Sequence, residues 1–187
     1  MYSVGEKIIY GENGVCTVSK IAPLEASGSS PDKLFYHLEP LIGSGIYYTP
    51  VDSGAYMRPV ISRAEAEALI ASIPSIEPAI CSDNRFNHVD AFYKELFRQH
   101  SCEALVAIVK GLRLRMSEKK TKSSRAEITM KRAKDILHGE LSIALNMDVA
   151  AFVKWLDAFA ARENIEFVIS MSSDKALCPE ELKQYLI

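Results

Sequence analysis

Basic side chains cluster in the third quarter of the chain, where they could bind a polyanion. Between Lys119 and Lys134 there are seven lysine or arginine residues and one acid, Glu127. Cations at this density attract phosphate, because a nucleic acid releases counterions when protein cations replace them. A solvated helix face with no partner is the competing interpretation. The seven basic residues, which we predict to contact DNA, are Lys119, Lys120, Lys122, Arg125, Lys131, Arg132 and Lys134.

Most of this cluster lies on an amphipathic helix that the pattern predicts from Arg125 to Ala144. Apolar residues recur at helical spacing along it and should face a core. Lys131, Lys134 and His138 recur on another side, which could face phosphate. The apolar stripe consists of Met130, Ala133, Leu137, Leu141 and Ala144.

The net charge of −2 hides an asymmetry along the chain. Residues 1–80 carry five lysines and arginines against nine acids, whereas residues 81–145 carry thirteen against eight. The remainder carries four against seven. The middle region is therefore the part that we expect to touch DNA, and the N-terminal region the part that we expect to touch protein.

The first sixty residues predict a small β-barrel. In IIYGENGVCTV, two apolar runs flank Asn13-Gly14, a dipeptide that suits the positive φ angles of a tight hairpin turn. The segments LFYHLEPL, GIYYTP and AYMRPV are short and rich in aromatic and β-branched residues, as strands are. This spacing is typical of an SH3-like or Tudor-like barrel. Because side chains alternate along a strand, one of Tyr47 and Tyr48 should pack inside it.

After Val60 the periodicity changes from about two residues to about 3.6, which predicts helices. Capping boxes at Ser62 with Glu65 and at Ser124 with Glu127 mark the start of two of them. SEKKTKSS, between Met116 and Arg125, contains no apolar residue and predicts a flexible loop. We expect a last helix from about Asp148. The residues predicted to face a helical core are Val89, Phe92, Tyr93, Leu96, Phe97, Leu105, Ile108, Val109, Leu112, Val149, Phe152, Val153, Trp155, Leu156 and Phe159.

The predicted fold class is therefore α+β, an N-terminal SH3/Tudor-like small β-barrel followed by a C-terminal all-α helical domain. We expect the barrel over residues 1–60, a short helix and linker over 61–80, and the helical domain over 81–163. Residues 164–187 form a C-terminal extension to which the pattern gives no clear role.

Several function classes are disfavoured by what the sequence lacks. Cys16, Cys81, Cys102 and Cys178 are scattered without a CxxC pair, so we predict reduced thiols and no metal site. There is no glycine-rich phosphate loop or nucleophile elbow, and the histidines are isolated, so we expect neither an enzyme nor a small-molecule substrate or cofactor. No signal peptide or apolar run of membrane-spanning length is visible.

Three segments follow one another along the chain: YSVGEKIIYGENGVCTVSKI, YYTPVDSGAYMRPV with Arg58 near its end, and MKRAKDILHGELSIAL. In this order they resemble the CarD/CdnL family of bacterial transcription regulators. The resemblance implies a Tudor-like domain that holds the β subunit of RNA polymerase and a helical domain that contacts promoter DNA just upstream of the melting bubble. Together they would stabilise the open complex, with DNA contacts that are largely independent of sequence. The resemblance also implies a cytoplasmic, nucleoid-associated protein. The barrel is similar as well to the polymerase-binding module of transcription-repair coupling factors.

The family inserts an aromatic wedge into the minor groove at the bubble edge, before its first long helix. The usual tryptophan is missing from that place here. CSDNRFNH puts Phe86 nearest to it, so the resemblance implies Phe86 as the wedge and Arg85 as its phosphate or groove partner. The only tryptophan, Trp155, falls at a core spacing instead.

Polymerase binding is carried over from the family, because the N-terminal region has few basic residues. We expect it to use strand-edge pairing and burial of tyrosine. Two alternatives stay open, a protein–protein adaptor and a free-standing non-specific DNA-binding protein without polymerase tethering. The residues predicted to bind polymerase are Ile46, Tyr47, Tyr48, Thr49 and Pro50.

Overall fold

The computed structural model describes residues 1–24, 33–83, 85–118 and 124–162. An antiparallel sheet of five strands comes first and five α-helices follow, which confirms the predicted α+β class. The predicted barrel, helical-domain and linker boundaries remain predictions. Residues 164–187, the predicted extension, lie outside the described part of the chain.

The sheet has the strand order β4-β3-β2-β1-β5, and each strand is antiparallel to its neighbours. The outermost strands do not pair with each other, so the sheet is not closed. Its own apolar core contains Ile8, Val18, Tyr36 and Leu38. The strands are β1 Lys7–Tyr10, β2 Val15–Ala22, β3 Phe35–Pro40, β4 Tyr47–Pro50 and β5 Met57–Pro59.

The turn between β1 and β2 is longer than the predicted two-residue turn. Gly11–Asn13 forms one turn of 3-10 helix, and the Tyr10 amide donates to the Gly14 carbonyl over 2.9 Å. Gly11 and Gly14 have φ values of +51° and +74°, and Asn13 does not enter this region. Gly14 lets the chain reverse over the four residues 11–14, because glycine has no Cβ that would clash at a positive φ.

The helices are α1 Arg63–Ser72, α2 Phe86–Arg98, α3 Cys102–Glu118, α4 Ser124–Ala144 and α5 Val149–Arg162. The capping box at Ser62 and Glu65 is confirmed. Part of the predicted SEKKTKSS loop is helical instead, because α3 continues through Glu118 and α4 begins at Ser124. Serine, glutamate and lysine tolerate a solvated helix, so the lack of apolar residues did not end α3 where we predicted.

The helical core is built mainly by α3 and α4, which pack along each other. From α3 it takes Leu105, Ile108, Val109 and Leu112, as predicted. The apolar stripe of α4 also faces this core, with Ala133, Leu137 and Leu141 buried and Met130 and Ala144 partly buried. Burying one such leucine or isoleucine contributes roughly 1.5–3 kcal/mol.

The outer helices complete this core. Tyr93 and Phe97 of α2 are buried, and so are Phe152 and Leu156 of α5. The prediction for Trp155 is confirmed, because its ring is partly buried and stacks on Phe152 with centroids 5.9 Å apart. The side chain of Phe159 lies outside the described part. The remaining predicted inward residues of α2, Val89, Phe92 and Leu96, are partly buried.

The sheet and the helices meet along α4. A Cβ built on Gly14 would lie 3.4 Å from Ile136 of α4. Further along α4, a Cβ on Gly139 would touch Leu41 and Ile42 at 3.6 and 3.7 Å. The glycines therefore let the β1–β2 turn and the residues after β3 approach the helix closely.

Candidate functional site

The predicted polymerase-binding residues lie on the outermost strand of the sheet. β4 pairs with β3 along one edge, and no strand among the described residues pairs with its other edge. An edge of this kind presents backbone donors and acceptors that another chain can use to extend the sheet. Pro50 limits the available length at one end, because it has no N–H.

Both tyrosines of β4 are exposed, which contradicts the prediction that one of them packs inside. Tyr47 is 38% exposed and Tyr48 is 49% exposed. They lie on opposite faces of the strand, where Tyr47 packs on Tyr10 at 5.9 Å between ring centroids and Tyr48 on His37 at 4.9 Å. β4 is the last strand of the sheet, so no further strand among the described residues covers the outer side of these rings.

The backbone of Tyr48 is directed away from β3. The Val51 amide donates to the Leu34 carbonyl over 3.0 Å, which makes this pair a hydrogen-bonded one. Along an antiparallel ladder, hydrogen-bonded residue pairs alternate with pairs that are not hydrogen-bonded. The His37–Tyr48 pair lies three places from the Leu34–Val51 pair, so it is not hydrogen-bonded. The N–H and C=O of Tyr48 therefore face the open edge of the sheet. The close approach of the His37 and Tyr48 rings agrees with this assignment.

The other predicted polymerase residues have different surroundings. Ile46 precedes the strand and is 44% exposed. Thr49 is buried, and its hydroxyl lies 2.9 Å from that of Ser53, so its side chain supports the turn after β4 and is not presented to a partner. Of the predicted set, Ile46, Tyr47 and Tyr48 therefore offer side chains at the surface.

The predicted wedge and its partner lie at the N-terminus of α2. Phe86 is the first residue of the helix, and its side chain lies outside the described part. Arg85 is exposed and binds Asp83 over 2.8 Å. The hydrogen bonds from Arg85 hold the pKa of Asp83 at about 2. His88 also contacts Asp83, at 2.7 Å.

Two other helix ends lie near this one. Arg125, in the first turn of α4, approaches Asp90 of α2 at 3.9 Å. Arg115, in the last turn of α3, donates to the Cys81 carbonyl over 3.4 Å. Arg125 therefore lies at the same end of the helical region as Arg85 and the start of α2. The N-termini of α2 and α4 add partial positive charge there, and the C-terminus of α3 adds partial negative charge.

The remaining basic residues of α4 are engaged within the protein. Lys131 pairs with Asp135 of the same helix at 2.6 Å. Arg132 pairs with Glu12 of the β1–β2 turn at 2.8 Å and lies over the Phe97 ring. Lys134 is half-buried, and burial together with the charge of Arg113 lowers its pKa. Lys119, Lys120 and Lys122 lie outside the described residues.

His138 does not lie on an exposed basic face, so its predicted position was wrong. The ring is buried, with the Phe152 ring 5.9 Å away. Burial, and then the charge of Lys134, lower the pKa of His138 to about 4. The helical spacing placed it correctly relative to Lys134, but α5 covers that part of α4.

A buried ion pair joins the sheet to α4, and the sequence analysis did not find it. The two terminal nitrogens of the Arg58 guanidinium, Nη1 and Nη2, donate to the carboxylate of Glu140, Nη2 over 2.9 Å to Oε2. Glu140 is fully buried and also accepts from the Ile61 amide at 3.1 Å and from the Cys102 thiol at 3.2 Å. The second Arg58 nitrogen donates to the His100 carbonyl over 3.1 Å.

The charges of this pair stabilise one another. Burial alone would lower the pKa of Arg58, but the hydrogen bonds and the charge of Glu140 outweigh it and raise the pKa. Burial and the same carboxylate raise the pKa of Cys102 well above its usual range, so the thiol stays protonated and donates to Glu140. Only the position of Arg58 in the family pattern and the glutamate after Gly139 could have hinted at the pair.

In the described ranges, no group of three or more histidine, cysteine, aspartate or glutamate side chains could hold a metal ion. Cys16, Cys81 and Cys102 are free thiols. No single described helix is long and apolar enough to span a membrane, and α4 with α5 passes such a test only as a pair bent by 97°.

Residues 2–61 match the family model of the CarD-like/TRCF RID domain. The match spans all five strands and ends just before the residue that caps α1. RID domains are RNA polymerase β-interacting domains, a class that serves interaction and regulation and is not enzymatic. A comparison of the chain with curated proteins found no match. Residues 2–61 therefore form a CarD-like/TRCF RID domain.

Proposed function

We propose that this protein is a transcription regulator that binds the β subunit of RNA polymerase and contacts promoter DNA at the upstream edge of the bubble, stabilising the open complex. The observation that carries the proposal is the RID domain with an open edge at β4. With this role the protein acts on the nucleoid, in the cytoplasm.

Polymerase binding in this proposal runs through the backbone of β4. The outward N–H and C=O of Tyr48 can exchange two hydrogen bonds with one residue of an extended segment. The partner then covers the exposed surfaces of the Tyr47 and Tyr48 rings. Aromatic side chains are enriched at interface centres, because each buries a large area with few rotatable bonds.

DNA binding in this proposal uses the end of the helical region where α2 and α4 begin. Arg85, Phe86 and Arg125 lie there, and so do the last turn of α3 and the first turn of α4. The ion pairs of Arg85 and Arg125 are exposed, and exposed pairs contribute only about 0–1 kcal/mol, so phosphate can compete for these cations. Such contacts position DNA without specifying its sequence.

One observation favours the adaptor alternative. Four of the predicted DNA-binding cations, Arg85, Arg125, Lys131 and Arg132, have acidic partners within 4 Å. An adaptor would bind polymerase through β4 in the same way but would leave open-complex kinetics unchanged. Polymerase binding therefore does not separate the two functions, whereas open-complex lifetime does.

Replacing Tyr48 with proline should weaken binding of RNA polymerase about tenfold relative to Tyr48→Ala. Both variants lose the ring, but only proline removes the N–H and leaves a partner carbonyl unsatisfied, which costs about 1–3 kcal/mol. An edge strand tolerates proline where the N–H faces outward, so the domain should still fold. Biolayer interferometry with immobilised core polymerase measures the difference. Equal affinities of the two variants would show that β4 does not extend a polymerase sheet.

Replacing Phe86 with alanine should shorten the open-complex lifetime several-fold while polymerase affinity stays unchanged. A wedge offsets an unstacking cost of a few kcal/mol, and alanine is too small to do so. The matched control is Asn87→Ala, at an exposed position in the same helical turn. Lifetimes are measured as decay of heparin-resistant complexes. If Phe86→Ala and wild type give the same lifetime, Phe86 is not the wedge.

A further inference from the structure

A groove runs between the sheet and α4, on the side of the RID domain that Tyr47 faces. Its volume is about 390 Å³. Val15 of β2, Leu41 after β3 and Ile136 of α4 line it with apolar surface. Tyr47 lines it on the sheet side and Ile128 on the helix side.

One stripe of α4 forms the helical wall of this groove. Its members are three or four residues apart, from Ile128 through Lys131 and Asp135 to Gly139. At 1.5 Å per residue the stripe is about 16 Å long, enough for an extended segment of several residues. The groove ends at Gly139, where Leu41 and Ile42 pack close to the helix.

Packing within the protein does not explain Ile128 of α4. It is 68% exposed and belongs to neither hydrophobic core. A single exposed isoleucine is ordinary on a protein surface. This one, however, lies on the same groove as the exposed ring of Tyr47, so the two form the apolar rim of one concave surface.

The charges in the groove indicate what kind of group it takes. Lys131 is paired with Asp135 at 2.6 Å, and Arg132 with Glu12 at 2.8 Å. These four charges cancel, so the groove has no net charge to attract phosphate or an acidic peptide. The chemistry of its rim and floor suits an apolar side chain.

The groove is continuous with the open edge of β4, because Tyr47 belongs to both. A segment that pairs with Tyr48 passes Tyr47 next and reaches the groove. We propose that the polymerase β-subunit segment that extends the sheet at β4 inserts an apolar side chain between Tyr47 and Ile128. The polymerase-binding surface is then not confined to residues 2–61 but includes α4. This inference rests on the proposed function.

Substituting Ile128 with serine in the full chain tests the inference. Ile128→Ser should weaken binding of core RNA polymerase about tenfold, as truncation of a central interface residue does. Ile80→Ser is the matched control, since Ile80 is a similarly exposed isoleucine, at 59%, in the segment between α1 and α2. It should bind as wild type does. Because both residues are exposed, equal thermal melting curves will confirm that both variants fold.

A photo-crosslinking residue at position 128 identifies the occupant directly. Benzoylphenylalanine there should crosslink to the β subunit, and the crosslink should disappear when Tyr48→Pro is added. Crosslinking only to another polymerase subunit would overturn the inference. It would also be overturned if Ile128→Ser lost self-association but bound polymerase as wild type does, because the occupant of the groove would then be a second copy of this chain.

The remaining outcomes separate this inference from the proposed function. If wild type binds polymerase, Tyr48→Pro does not, and Ile128→Ser binds as wild type, the groove inference is wrong while polymerase binding at β4 stands. If wild type itself fails to bind polymerase, both are wrong.

Discussion

Replacing Arg58 with methionine is expected to lower the free energy of unfolding by about 3–5 kcal/mol, because the change leaves a buried carboxylate without its cation. Glu140 is fully buried, and Arg58 supplies two of its hydrogen bonds. The Ile61 amide and the Cys102 thiol would remain, and neither carries a charge. Urea denaturation followed by circular dichroism measures the loss.

Two further variants assign the cause. Arg63→Met removes an arginine from an exposed pair with Glu67 and should cost less than about 1 kcal/mol. Adding Glu140→Gln to Arg58→Met removes the unpaired charge but keeps an acceptor for the Ile61 amide, so it should recover part of the stability. If the double variant has a lower free energy of unfolding than Arg58→Met alone, the unpaired charge of Glu140 is not the cause of the destabilisation.

The position of this pair matters for the proposed function. Arg58 lies in β5 and Glu140 in α4, so the pair fixes the edge of the RID domain opposite β4 to the helical region. Arg132 and Glu12 make a second such connection at the β1–β2 turn. A polymerase bound at β4 and DNA bound at the start of α2 would then be held at a set distance.

The elements of this fold could be predicted from local patterns. The capping box of α1 and the core face of α3 follow from spacing alone, because a helix repeats every 3.6 residues wherever it lies. The strands of the RID domain likewise follow from short apolar and aromatic segments between turn residues.

What local patterns could not predict is which neighbour covers each face. His138 shares a stripe with Lys131 and Lys134, but α5 buries it and leaves Lys131 exposed. Tyr47 and Tyr48 alternate as expected, yet both are exposed, because no other strand in the described part of the chain pairs with the outer edge of β4 and the sheet does not close. Arg58 and Glu140 are 82 residues apart, and no periodicity connects them.

The second large effect is expected at a glycine of α3. Gly111→Ala should lower the free energy of unfolding by about 2–3 kcal/mol, although alanine is the better helix former by roughly 1 kcal/mol. A Cβ at this position would lie 1.9 Å from the Ala79 carbonyl oxygen and 2.5 Å from its carbon. Backbone atoms cannot rotate away as the end of a side chain can, so the whole segment must move.

That segment is held firmly on α3. The Ala79 amide donates to the Ala107 carbonyl over 2.9 Å. Lys110 is buried and its ammonium donates to the Ile73 carbonyl at 3.0 Å, to the Pro74 carbonyl at 3.3 Å, and to the Ile76 carbonyl. Displacing the segment to make room for a methyl group would strain or break these bonds.

Gly139→Ala is the matched control, since it makes the same change in a buried position of α4. Its Cβ would meet side-chain atoms of Leu41, Ile42 and Val15 at 3.6–3.7 Å, which is ordinary contact. We therefore expect Gly139→Ala to leave stability unchanged or to raise it by up to about 1 kcal/mol. Urea denaturation gives both values, and hydrogen exchange at the Ala79 amide should accelerate in Gly111→Ala alone. If Gly111→Ala is as stable as Gly139→Ala, the close approach of residues 73–79 to α3 is wrong.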